Sequence, residues 1–152
     1  TGYWGANTWN STVFSIGSIR DANSSNAIAY VFAEIPGYSS IGSYEGNGNA
    51  DGSFVYTGFR PSWLLIKNID ATESWNLRDS SRDPFNVSKE ILAPNTNAAE
   101  ATSGGGQYAD LLSNGFKLRG TDPGVNSSAT FIYMAFAEHP FGGEDIAPAT
   151  AR

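Results

Sequence analysis

Apolar and polar positions alternate along most of this chain with a period of two, the spacing of side chains on one face of a β-strand. Val13–Ile19, Phe54–Phe59, Ser62–Asn68, Trp75–Asp79, Lys89–Leu92, Tyr108–Leu112 and Phe131–Glu138 all read as short strands. In Ser62–Asn68, Trp63 and Leu65 face one way and Leu64 and Ile66 the other, the pattern of a central strand. Phe131–Phe141 (FIYMAFAEHPF) is an apolar run stopped by Glu and X-Pro, which predicts a strand buried on both faces. Phe131, Tyr133, Ala135 and Ala137 share one face; Ile132, Met134, Phe136 and Glu138 share the other. Turn chemistry separates the runs. Tyr38–Gly52 reads as punctuation, with Asn47-Gly48 and Asp51-Gly52 as hairpin signals, and Asn114-Gly115 is another turn. Pro84 keeps Ser80–Val87 out of any regular central strand. Only Ala98–Ala101 has helical character, one turn at most. The fold class expected is all-β: an antiparallel β-sandwich or jelly roll of eight to ten strands with negligible helix.

The last strand has an earlier copy. Ala27–Gly37 (AIAYVFAEIPG) aligns with it, Ile28, Phe32, Ala33, Glu34 and Pro36 falling on Ile132, Phe136, Ala137, Glu138 and Pro140. Residues 13–37 therefore recur as 115–141. The repeat divides the chain into three segments: 1–38, the closing part of a preceding repeat with a Trp-bearing arm; 39–141, one complete repeat; and 142–152, a C-terminal arm. A chain that starts at Thr1, inside a repeat, is expected to be processed or to belong to something longer.

Composition narrows the function classes. Charged residues make up 16% of the 152 residues, against about 25% in ordinary domains, and aromatics reach 13%. That combination argues for an ordered, uncharged polar surface. A formal charge of −6 leaves no basic footprint for nucleic acid. No apolar run approaches the roughly 20 residues of a membrane helix, and with no cysteine there is no disulfide or thiolate metal site. Low charge with abundant Asn, Thr and Tyr leans toward an exported surface protein.

Candidate chemistry is thin. His139, the single histidine, stands at a strand end where the first copy has Ile35, so the fold does not require an imidazole there. Glycoside cleavage needs two carboxylates about 5–9.5 Å apart across a cleft. Glu73, Asp79, Asp83, Glu90, Asp110 and Asp122 all sit in turns without a motif. Glu34 and Glu138 occur in both copies, which favours a structural role, accepting backbone N–H groups at a strand end. Asn47, Asn49, Asp51 and Gly52 mimic the opening of a calcium loop, but Gly58 stands where the bidentate Glu belongs. Arg78, Asp79, Arg82 and Asp83 form the densest charge cluster and read as a latch pinning their loop. No catalytic, cofactor-binding or metal-binding residue is assigned.

The runs GFRPSWLLIKNID, W-x-L-x-D-x-x-R-D-P-F-N (Trp75–Asn86), PNTNAAEAT (Pro94–Thr102), LLSNGFKLRG (Leu111–Gly120) and YMAFAEHPFGG (Tyr133–Gly143) carry a resemblance. Together they resemble a tandem-repeat domain of unknown function from tail-fibre-type structural proteins of marine bacteriophages, cyanophages included. The family carries no assigned catalytic residue to transfer. The resemblance implies a non-enzymatic virion or extracellular subunit that associates with copies of itself, fibre- or filament-like, in a phage tail or adsorption apparatus. Trp4, Trp9, Ile146 and Pro148 are then expected at subunit contacts, although by themselves the rings of Trp4 and Trp9 better suit packing on their own domain. The alternative is a lectin-like module that reads host glycans or a receptor through Tyr44, Asn47, Asn49, Asp51 and Tyr56.

Overall fold

The computed structural model describes residues 30–102 and 106–138. Trp4, Trp9, His139, Ile146 and Pro148 lie outside the described residues, as does the Val13–Ile19 strand expectation. By its internal packing the chain falls into two units, residues 1–32 and 33–152, and every strand described belongs to the second.

Nine strands and no helix occur among the described residues. β1 (Ser39–Glu45), β3 (Pro61–Asn68), β4 (Asn76–Asp79) and β9 (Thr130–Ala137) form one sheet in the order β1-β9-β3-β4. β2 (Phe54–Tyr56), β7 (Ala109–Leu112) and β8 (Gly115–Leu118) form another, in the order β2-β8-β7. β5 (Glu90–Ile91) and β6 (Ala101–Thr102) make a small ribbon. Every pairing is antiparallel. The all-β expectation holds. Ala98–Ala101 contributes no helical turn, because its C-terminal residue joins the ribbon.

Period-two alternation builds the core. β9 buries Phe131, Tyr133, Ala135 and Ala137, and β3 buries Leu64 and Ile66 beside them. β2, β7 and β8 present Val55, Ala109, Leu111, Phe116 and Leu118 to the same cluster. Tyr44 stacks on Phe131 with ring centroids 5.0 Å apart, and Phe116 meets Tyr133 edge-on at 5.4 Å. Each large apolar side chain contributes about 1.5–3 kcal/mol by leaving water. Gly115 opens β8 at a crowded point: a Cβ there would lie 2.1 Å from the Val55 carbonyl oxygen.

Three expectations need correction. β9 is not buried on both faces: Ile132 is 40% exposed, and Met134 and Phe136 are half-buried. The reason is that only one sheet layer covers it. Tyr38–Gly52 is not all punctuation, since Ser39–Glu45 is a seven-residue strand along β9. Its Ser- and Gly-rich sequence carries little β signal, and the partner strand imposes the conformation. The described part of the earlier copy does not reproduce β9 either. Residues 30–34 form no strand, and Tyr30 and Val31 are 80% and 73% exposed. β9 is flanked by β1 and β3, and residues 30–34 have no such flanking strands among the described residues.

Candidate functional site

Sheet edges and faces decide what this molecule can touch. The 86–92 segment closes two edges. Leu92 exchanges backbone hydrogen bonds with Leu77 of β4 at 2.9 Å, and Ser88 does the same with Ala109 of β7. Asn86 adds a side-chain clasp on β7, accepting the Leu111 N–H at 2.8 Å and donating to the Leu111 carbonyl at 3.2 Å.

β1 is left as the long outer strand. Pro36 and Gly37 (φ 76°) make a turn in which Tyr38 donates to Ile35 O, and Ile35 then bridges Ser39. One step further the Ile41 N–H is taken by a side chain, Glu34 Oε1, at 3.0 Å. The carboxylate does accept a backbone N–H, as expected, but from inside β1 and not at the end of a strand of its own. At the far end the Ser53 hydroxyl donates to Glu45 O at 2.6 Å. Between them the outward N–H and C=O of Ser43 have no partner among the described residues. An open pair of backbone groups on an outer strand whose only charge is the terminal Glu45 is a foothold for another strand.

The outer face beside that edge is apolar. Register places Ile41 opposite Met134, Met134 opposite Leu65, and Leu65 opposite Leu77, so one apolar row crosses all four strands. A groove of about 440 Å³ runs here, lined by Ile41, Ser43, Leu65, Trp75, Ile132 and Met134. Phe136 packs on Trp63 (5.5 Å) and Tyr38 (5.6 Å) at its end. Trp75 also borders a recess of about 200 Å³ with Glu73, Asn76, Leu92 and Gln107.

The residues singled out for glycan contact scatter. Tyr44 is a core side chain: it is 9% exposed and its hydroxyl donates to Val125 O at 2.6 Å. Burial raises its pKa far above the ordinary value near 10, the nearby Arg78 cation opposing this only in part. Tyr44 therefore presents no surface to a sugar. The polar loop beside it is occupied with its own backbone. Asn47 Oδ1 accepts the Asn49 N–H, Asn49 Oδ1 accepts the Asp51 N–H, and Asn47 Nδ2 donates to Asp51 O. Asn126, fully buried, ties the loop down, donating to Asn47 Oδ1, Asn49 O and Gly120 O and accepting the Asn47 N–H. Asp51 pairs with Lys117 at 2.6 Å, and that hydrogen bond and charge hold its carboxyl below the ordinary range. Tyr56 is 64% exposed on the other sheet. No group of His, Cys, Asp or Glu able to hold a metal ion occurs among the described residues.

The charge cluster divides. Arg82 pairs with Asp79 at 2.5 Å and Glu100 at 3.2 Å, and Asp83 accepts the N–H groups of Lys89 (2.5 Å) and Glu90 (3.3 Å). Arg78 stands apart, wholly buried with neutral acceptors only: Asn76 Oδ1, Ser88 O and Gln107 O. Period two explains this, because Asn76 and Arg78 face inward from β4 while Leu77 and Asp79 face out. Burial lowers the pKa of Arg78 to about 10, the Tyr44 and Asp83 groups opposing the drop, so it stays a cation at neutral pH.

Residues 1–140 match the model of a family described as a domain of unknown function, DUF7483. The chain belongs to that family. No curated protein and no solved structure matches it. Within this member, sequence reasoning overlooked the β1 edge at Ser43, the Trp75 groove wall, the Asn126 anchor and the Asn86 clasp. Ile41 and Tyr44, set on opposite faces of SSIGSYE, were the available signal for β1. Nothing local marks the two asparagines: Asn86 reaches 25 residues along the chain, and Asn126 reaches Asn47 and Asn49, 79 and 77 residues away.

Proposed function

We propose that the chain is a non-enzymatic structural subunit that associates with copies of itself into a fibre- or filament-like assembly. The observation that carries this reading is the apolar outer face of the four-stranded sheet beside the unpaired stretch of β1. A sheet with one face in the core ordinarily gives its other face to polar side chains. Here Ile41, Leu65, Leu77, Ile132 and Met134 stand on that outer side, in a chain with few charges to keep copies apart. The placement of such a subunit on a virion or outside the cell, in a phage tail or adsorption apparatus, rests on the tail-fibre resemblance of the sequence runs. Native mass and negative-stain electron microscopy over a concentration series test the reading. We expect oligomers or filaments that grow with concentration; a monomer throughout would overturn it.

A second reading is a lectin-like binding module. It is favoured by the Trp75 recess, where an indole 36% exposed lies beside Glu73, a ring and a carboxylate of the kind that suit a sugar. A glycan array run with and without calcium tests it, and the absence of any binder would dispose of it.

A further inference from the structure

We propose that the unpaired edge of β1 is the contact through which copies join, and that its occupant is the exposed stretch around Tyr30 and Val31 of a second copy, added as a strand. This rests on the self-association reading and deepens it by naming both halves of the contact.

The receiving half is bounded on both sides. Toward Ser39 the edge is closed by the Ile35 bridge and the Glu34 carboxylate, and toward Glu45 by the Ser53 hydroxyl. What stays open is centred on Ser43, whose backbone groups share the outward direction of the Ile41 N–H two residues before. The opening suits a short strand of three or four residues. Its floor is the apolar groove of Ile41, Ile132 and Met134, which would take alternate side chains of an incoming strand.

The occupant is indicated by what the chain does with its own approach. Continuing the Ile35–Ser39 bridge as a ladder would set Ala33 against Ile41. Instead the Ser39 hydroxyl donates to Ala33 O at 2.7 Å, and Glu34 supplies the acceptor for the Ile41 N–H from its side chain. The chain's own ladder stops there, short of Ser43. Tyr30 and Val31, 80% and 73% exposed, belong to an uncharged stretch of β-forming residues. An exposed apolar donor and an open acceptor at different places on one chain make a head-to-tail contact, which propagates into open assemblies unless rotation closes a ring.

Two variants separate the halves. Ser43→Pro blocks the edge without breaking the β1–β9 ladder, because the Ser43 N–H points away from β9. Val31→Asp charges the donor at an exposed position. Light scattering should find each variant alone monomeric where the wild type associates, each still melting in one cooperative transition. Mixed one to one, they should form a heterodimer and nothing larger, since one copy keeps the edge and the other keeps the donor. Should Ser43→Pro unfold, Ser43→Lys takes its place. Association persisting in either single variant, or a mixture that stays monomeric, overturns the inference while leaving self-association standing. A wild type that is itself monomeric removes both.

Discussion

The Tyr44 hydroxyl and the Val125 carbonyl oxygen, 81 positions apart in the chain, meet at 2.6 Å inside the sandwich. The bond gives the buried phenol its only polar outlet among the described contacts and fixes the 120s loop against β1. Tyr44→Phe should cost about 1–2 kcal/mol in denaturant titration, the penalty for stranding one buried carbonyl.

The burial of the same phenol sets a pH dependence. Burial raises the Tyr44 pKa in the folded state above the value near 10 expected of the unfolded chain. Its contribution is complete below pH 10 and lost as pH rises beyond it, by about 1.4 kcal/mol per pH unit. The stability gap between wild type and Tyr44→Phe should stay constant up to about pH 9 and shrink above pH 10. Paired urea titrations at pH 8, 10 and 11 read this directly.

Asn126 joins two loops through four hydrogen bonds while fully buried. Asn126→Ala leaves several carbonyls and one N–H without partners, and a loss of about 2–4 kcal/mol is expected in chemical denaturation. By contrast, Asp51→Asn should leave the thermal midpoint nearly unchanged, because the Asp51 carboxylate is exposed to solvent.

Ser88 Oγ is buried without a hydrogen-bond partner, although the Ser88 backbone is fully engaged. Ser88→Ala removes that stranded hydroxyl and keeps the backbone contacts. The variant should equal the wild type or gain up to about 1 kcal/mol, read as a higher denaturation midpoint.

Gly115 meets the Val55 carbonyl where a Cβ would stand 2.1 Å away. Gly115→Ala must push β2 and β8 apart, and a cost of about 1–3 kcal/mol or more is expected in the thermal melt. Ser113→Ala, two residues earlier and exposed on the turn, serves as the control.

Much of the fold is written in alternation that needs no partner to be read. Leu64 and Ile66 face opposite to Trp63 and Leu65, and Phe131, Tyr133, Ala135 and Ala137 face together, because side-chain direction in a strand depends only on position. The all-β class and the face assignments of β3 and β9 were legible for that reason. The tertiary structure alone decided which faces and edges stay uncovered, since this depends on what lies opposite. It turned Ser39–Glu45 into a strand, sank Tyr44 and Arg78 into the interior, and closed the β4 and β7 edges with the 86–92 segment. It also left the Ser43 edge open, next to an apolar face that period two alone assigns to the inside.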